Sequence, residues 1–301
     1  MKPDVFVRRA SFGVFCLFYT AALGMALAQQ PDFSKVEIKA THVAGNIYML
    51  EGAGGNIAVS AGPDGLLMVD DQFAPLAEKI EAAMKTISPG KLQFIINTHH
   101  HGDHTGSNPF FGKQGPIIAQ SNVRKRLSGS GAGTGVKVSG GLPVVTFEDS
   151  VSVHFNGEEI KVWHVPAGHT DGDSIVHFTG ANVVHMGDQF FSGRFPNIDL
   201  GGGGDVRGYI KNVGHALETL PKDARLIPGH GPLSSRKELQ ESYEMLMATS
   251  QIVEKSIAEG KTLDQVQKDG LPDKWKSWAA PTLSVNRWLE ILYQGLTRRE
   301  K

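Results

Sequence analysis

Thr98-His99-His100-His101-Gly102-Asp103-His104 places four histidines and an aspartate within seven residues. Its spacing reads His-x-His-x-Asp-His, and it follows the short apolar run Leu92–Ile96, which has the character of a buried strand. Side chains alternate along a strand, so His99 and His101 at its end project the same way and can grip one ion. Asp103 and His104, just past the strand end, can face a second. Imidazole suits zinc and iron, and a carboxylate completes a hard-to-borderline set. A surface accident is the bland reading of a histidine run, but the spacing and the strand context favour metal binding. The same alternation turns His100 away from the metals.

Four such ligands are too few for two ions, so the chain must supply more. Three candidates stand at the ends of strand-like runs beside glycine, where the backbone can turn sharply. His169 lies in Pro166-Ala167-Gly168-His169-Thr170, Asp188 in Met186-Gly187-Asp188, and His230 in Pro228-Gly229-His230-Gly231. Each alone passes for a turn residue; as a set they continue the first cluster. His42, His154, His164, His177, His185 and His215 read as ordinary strand or surface residues.

Outward from these motifs the chain repeats one order, strands and then helices. Val36–Ile38, Ile47–Leu50, Asn56–Ser60 and Leu66–Val69 read as strands, the last two joined by the hairpin turn Gly62-Pro63-Asp64-Gly65. Pro75–Thr86 has helical spacing. In the second half Ile117–Ala119, Val151–Phe155, Ile160–Val165, Ile175–Phe178, Val183–Met186 and Leu226–Ile227 read as strands. Ser121 is expected to cap a short helix through Leu127, and Asp205 one to Leu220. Ser235–Ala258 and Leu283–Leu296 read as long helices. Gly129–Gly141 has the composition of a mobile loop, and the glycines 201–204 that of a flexible turn. This order implies an α/β fold with two sheets face to face and helices outside.

With these motifs in place, residues 42–232 resemble the metallo-β-lactamase superfamily. The motifs come in the family's order: Asp70 after the second hairpin strand, the His-x-His-x-Asp-His set, then His169, Asp188 and His230. The resemblance implies a four-layer αββα sandwich with metals at one edge between the sheets. It implies that His99, His101 and His169 hold a first ion. Asp103, His104 and His230 would hold a second, Asp188 would bridge the two, and Asp70 would orient a ligand histidine from behind. Two ions per chain are expected, zinc by family habit, with iron or manganese admitted by the same ligands.

Two ions sharing a water lower its pKa, and the hydroxide attacks a carbonyl or phosphoryl centre. The resemblance therefore implies a metal-dependent hydrolase of an ester, lactone, thioester or amide-like carbonyl. Asp188 and Asp103 are its candidate catalytic carboxylates, Asp103 as a proton shuttle. Family members that open β-lactams usually carry Cys or Ser where this chain has Asp188; an aspartate there is similar to the lactone- and thioester-hydrolysing branches such as glyoxalase II. Related folds also carry iron and do redox work, as in sulfur dioxygenases. That alternative needs one ion, and a complete second set favours hydrolysis. Phe73, Phe191 and Arg194 are the candidate substrate contacts, the aromatics for an apolar acyl part and Arg194 for a carboxylate.

The chain has 301 residues, 40% hydrophobic and 20% charged, an ordinary globular composition. A formal charge of -1 gives no electrostatic ground for a nucleic-acid partner, so a small-molecule substrate is expected. Residues 1–28 stand apart. A basic start (Lys2, Arg8, Arg9), an apolar stretch Phe12–Leu27 and Ala26-Leu27-Ala28 match a signal peptide cleaved before Gln29. Bulky Val14 and Phe15 before Cys16 argue against a lipoprotein. Residues 29–301 are expected to form one domain with carboxy-terminal helices from about 235, periplasmic or secreted and without stable membrane insertion. Cleavage removes the only cysteine, so the mature protein has neither disulfide nor thiolate ligand. Export also argues against a cytosolic thioester role.

Overall fold

The computed structural model describes residues 32–129 and 140–298. The signal-peptide reading of residues 1–28 lies outside them, as does 130–139, the body of the glycine-rich loop.

Twelve described strands form two sheets. The first runs β1 (Lys39–Ala44), β2 (Ile47–Glu51), β3 (Ile57–Gly62), β4 (Gly65–Val69), β5 (Leu92–Asn97), β6 (Ile117–Gln120) and β7 (Val145–Phe147), in that spatial order. Pairing is antiparallel up to β4 and parallel beyond it. The second contains β8 (Ser150–Phe155), β9 (Glu158–His164), β10 (Ser174–Phe178), β11 (Val183–His185) and β12 (Arg225–Ile227), in the order β12-β11-β10-β9-β8, with β11 and β12 parallel. The helices are α1 (Ala77–Ile87), α2 (Gly102–Thr105), α3 (Asn108–Phe111), α4 (Ser121–Leu127), α5 (Val206–Thr219), α6 (Arg236–Ala258), α7 (Leu263–Asp269), α8 (Asp273–Lys276) and α9 (Val285–Thr297).

The period of two along each strand sorts the side chains into layers. Ala58, Leu67, Val69, Ile96 and Ile118 of the first sheet meet Ile160, Val162, Val176, Val183 and Ile227 of the second in the central core. Their chain neighbours Ile57, Val59, Leu66, Met68, Ile95 and Ile117 face outward, onto Ile80 and Met84 of α1. On the other side Ile175, Val184 and Leu226 face α5, α6 and α9 through Tyr209, Val213, Leu246 and Trp288. The central strands are covered on both faces, which is why β4 and β11 read as unbroken apolar runs, whereas β8 at the edge of the second sheet alternates with exposed residues. The result is the four-layer αββα sandwich. Each fully buried aliphatic contributes about 1.5–3 kcal/mol, so the three apolar interfaces fix the layers firmly.

Several local expectations need correction. Val36–Ile38 is not a strand; its apolar residues pack beside the α1 core and β1 starts at Lys39. Ser121 is the first residue of α4, and the Gln120 side chain caps it by accepting from Asn122 N. β7, α7 and α8 were not expected from the sequence. Asp205 does cap α5, while Ser235, read as the first helical residue, stands one position outside α6 and caps it with a capping box through Glu238. No described helix is long and apolar enough to cross a membrane.

Candidate metal centre

The carboxyl ends of the parallel strands β4, β5, β11 and β12 converge on one edge between the sheets, the usual ligand-binding edge of parallel strands. Asp70 follows β4, the histidine cluster follows β5, Asp188 follows β11 and His230 follows β12. His169 joins them from the β9–β10 loop. Strand alternation does not aim His99 and His101, because β5 stops at Asn97. The chain leaves it in an irregular stretch, and α2 then carries Asp103 and His104.

All seven expected ligands meet there. His99, His101, His169 and Asp188 form one group whose ligand atoms lie within 4.8 Å of one another, and Asp103, His104 and His230 form another. Asp188 divides its carboxylate between them. Its Oδ2 lies 3.3 Å from His169 Nε2 and 3.8 Å from His99 Nε2. Its Oδ1 lies 3.1 Å from His104 Nε2 and 3.5 Å from His230 Nε2. Asp103 Oδ2 is 3.3 Å from His230 Nε2.

Hydrogen bonds behind the rings fix which nitrogen faces inward. Asp70 can only accept, so His104 Nδ1 donates to its Oδ2 (2.7 Å) and Nε2 keeps a lone pair. Asp199 takes His101 Nε2 in the same way (2.9 Å), leaving Nδ1. The Asn197 carbonyl accepts from His169 Nδ1. Thr98 Oγ1 donates to Asp70 (2.7 Å) and so accepts from His99 Nδ1 (3.0 Å). In its neutral form each of the four rings therefore turns a lone pair inward. His101 Nδ1 and His169 Nε2 face each other at 2.8 Å, while His99 Nε2 and Asp188 Oδ1 are buried without any hydrogen-bond partner. Such a donor set suits cations and is costly without them.

The charge states agree with that fit. Burial pushes Asp188 up, but the surrounding histidines, His104 foremost, hold it well below the usual carboxylate range. Burial holds His99 well below its ordinary value and His169 at about 4, both in the neutral ligating form. Burial also pushes His104 and His230 down, yet Asp188 and Asp103 outweigh it, raising His104 and bringing His230 to about 9. The carboxylates of the second group thus favour positive charge at that place, which is the charge a cation would bring.

Glycines leave the room this packing needs. A Cβ at Gly229 would sit 2.0 Å from Asp188 Oδ1, and one at Gly55 2.0 Å from His104 Cε1. Asn56 ties the His230 loop down through its side-chain amide, to the Pro228 carbonyl (2.9 Å) and the Gly231 carbonyl (2.8 Å).

Asp70 is fully buried at φ +63° and stands behind His104. Phe73 is half-buried, 5.3 Å from the Phe33 ring and beside Gly54, which itself packs on Asp103. Phe191 is buried and stacks on His230 at 4.9 Å. Arg194 is half-buried and forms no ion pair among the described residues. Phe190 and Phe195 belong to the helical core, Phe195 stacked on Trp288. His100 is buried with both ring nitrogens unpartnered; it stands outside the Asp188 group, beside His101 and Asp199, with which it makes a third cluster of potential ligand atoms. His185, read as an ordinary strand residue, spans from the Asn56 carbonyl to the Gly187 amide and steadies the Asp188 turn.

Sequence reading missed Asp199 and Asp173. Asp199 accepts from the Gly201 and Gly202 amides besides His101, so the glycine run is a close-packed collar. A Cβ at Gly204 would meet the His169 carbonyl at 2.4 Å. Asp173 is buried, which pushes its carboxyl up to about 7, and it binds Thr170 and Gln189, the neighbours of His169 and Asp188.

Residues 40–230 match the family model of the metallo-β-lactamase superfamily. The chain belongs to that superfamily. A hydroxyacylglutathione hydrolase of Gloeobacter violaceus is 32% identical over 142 residues, 46% of this chain and 46% of the relative. The chain thus spans about half the length of the curated relatives it matches. Among solved structures, a metallo-β-lactamase from Pontibacter korlensis aligns with a TM-score of 0.61 and 17% identity, covering 70% of this chain and 99% of the other. A sec-alkyl sulfatase aligns with a TM-score of 0.65 and 14% identity, over 86% of this chain and 50% of the other. At these identities the structures show the fold alone. The sulfatase likeness reaches further along the chain than the family model does.

Proposed function

We propose that the mature protein is an exported, dinuclear metal-dependent hydrolase, a zinc enzyme acting on an ester, lactone, thioester or amide-like carbonyl. The observation that carries this reading is the division of the Asp188 carboxylate between two sets of histidines. His99, His101 and His169 would hold one ion, Asp103, His104 and His230 the other, with Asp188 common to both. Two divalent ions so placed supply an activated water and a Lewis acid for the oxygen under attack.

The chain's own residues do the rest. Asp70, Asp199, Thr98 and the Asn197 carbonyl hold the ligand rings in the tautomers that leave lone pairs inward. Asp103, the more exposed of the two central carboxylates, can carry a proton to the leaving group. No serine or cysteine nucleophile is needed. Two complete sets favour hydrolysis over the one-ion redox chemistry considered above. The hydroxyacylglutathione hydrolase relatives support a thioester or related acyl substrate. Support for export rests on the amino-terminal sequence alone.

The test is metal analysis of purified mature protein, followed by a panel of lactone, thioester, phosphodiester and β-lactam substrates. Two zinc ions per chain with turnover of an acyl substrate are expected. One ion with activity indifferent to a second would overturn the dinuclear reading.

A further inference from the structure

A cleft of about 300 Å³ adjoins the metal centre on the far side of the His101 ring. One wall is the loop Asn197–Gly201, and the other is α9, through Arg287, Ile291 and Gln294, with Arg298 at its carboxyl end. His101 belongs to both places. Its Nδ1 faces the ligand group, and its Nε2 meets Asp199 at the cleft wall. The cleft and the ligand group thus share the His101 ring.

The lining is polar, and its charges differ in how far they are spoken for. Both oxygens of Asp199 are engaged, Oδ2 by His101 and Oδ1 by the Gly201 and Gly202 amides, and these contacts hold its carboxyl far down the scale. Arg287 Nη1 lies 2.7 Å from Glu290 Oε2, so that guanidinium is partly neutralised. Arg298 donates from Nη1 to the Leu200 carbonyl (2.8 Å) and pairs with no carboxylate among the described residues. The carbonyl anchors the guanidinium beside the cleft and leaves its other donors available. A planar fork of donors held this way matches a carboxylate, sulfate or phosphate.

We propose that this cleft is the subsite for an anionic group of the substrate, with Arg298 as its principal contact and Arg287 assisting. The substrate class follows: an acyl compound carrying a carboxylate or like anion on the part that extends past His101. This rests on the hydrolase reading for the word substrate, but the anion site itself does not require turnover.

Two measurements on metal-loaded protein separate the ideas. The first is equilibrium binding of succinate by calorimetry to wild type, Arg298→Ala and Arg298→Lys, with metal content and thermal midpoint confirmed equal. Arg298→Ala should weaken binding about tenfold, and Arg298→Lys should restore part of it, since lysine keeps the charge without the fork. Succinate bound only by the metals would give the same affinity in all three proteins and would overturn the proposal. The second compares hydrolysis of 4-nitrophenyl hemisuccinate and 4-nitrophenyl butyrate. Arg298→Ala should raise KM for the hemisuccinate about tenfold, leave kcat unchanged and leave the neutral butyrate unaffected. Equal effects on both esters would also overturn it. Turnover of both esters with no dependence on Arg298 keeps the hydrolase and removes the subsite. Arginine-dependent succinate binding without turnover of either ester keeps the subsite and removes acyl hydrolysis.

Discussion

Replacing Asp70 with asparagine tests whether the tautomer of His104, and not merely a polar neighbour, governs metal binding. The buried carboxylate accepts from Thr98 N at 2.8 Å, Thr98 Oγ1 at 2.7 Å and His104 Nδ1 at 2.7 Å. Its φ of +63° is one that asparagine tolerates, so Asp70→Asn leaves the backbone undisturbed. The amide oxygen can keep the Thr98 N–H. The amide nitrogen then faces His104 Nδ1, and an N–H cannot accept. The ring's remedy is to carry its proton on Nε2 and let Nδ1 accept. Nε2 is the nitrogen that meets Asp188 Oδ1 at 3.1 Å, so the proton occupies the lone pair a cation needs.

Restoring the ligating tautomer costs that new hydrogen bond, about 1 kcal/mol, or about 3 kcal/mol if donor is left against donor in a buried site. At 1.4 kcal/mol per tenfold, the second ion binds about 5- to 150-fold more weakly, in line with losses of about 10- to 100-fold when support behind a ligand histidine is removed. The assay is competition against a chromophoric chelator, which resolves two binding steps, together with the melting point of the metal-free protein. Both steps should weaken, because the same amide nitrogen also meets the Thr98 hydroxyl that sets His99 Nδ1, and the metal-free melting point should stay within a few degrees of wild type. Two unchanged steps would refute the tautomer argument. Asp70→Ala is the contrast: it strands three buried donors and should cost at least about 3 kcal/mol of stability.

Asp188→Ala should lower kcat at least about 100-fold, since losing the shared carboxylate displaces both ligand groups, whereas His100→Gln should cost less than about tenfold; equal losses would show that the ligand assignment is wrong. Gly229→Ala sets a methyl 2.0 Å from Asp188 Oδ1 and 2.7 Å from the Gly187 backbone, so metal content measured by mass spectrometry should fall even though no ligand has changed; full loading would show that the loop can give way. Ser235→Ala removes the capping box of α6 and should cost about 1 kcal/mol in denaturant unfolding with metal content intact; lost metal would mean that α6 supports the centre directly. Intact mass of protein recovered from outside the cytoplasm should begin at Gln29, and retention of residues 1–28 would sink the export reading.

The histidine and aspartate cluster was legible because its residue types are rare and stand in a tight array. A His-x-His-x-Asp-His string has few other uses, and the later histidines and Asp188 each stood beside glycine at a strand end. The layers were legible for a different reason: a strand covered on both faces must be apolar throughout, as Leu66–Val69 and Val183–Met186 are. β7 was not, because Val145-Thr146-Phe147 is only three residues long and two of them are exposed. Strand alternation does not aim His99 and His101, although the structure does bring the two together. The strand ends two residues too early, and the histidines are aimed instead by Thr98 and Asp199.

Apart from Asp70, what stayed hidden is the layer behind the histidines. Asp199, Asp173, Asn56 and His185 lie far from the His99–His104 string in the chain, and each is a common residue in an unmarked context. Their roles exist only once the two sheets bring distant loops together, as when Asn56 reaches Pro228 or Asp70 reaches His104. The glycines 201–204 show the same limit from the other side. Composition made them a flexible turn, yet Gly202 and Gly204 lack side chains because Asp199 and the His169 carbonyl occupy that space. Glycine permits both looseness and close approach, and only the neighbours decide which. A tautomer is likewise written in the partner and not in the histidine. Thr98 and Asp70 stand within the motifs, but Asp199 does not, and by holding His101 on one side and walling the anion cleft on the other it joins the two halves of the site.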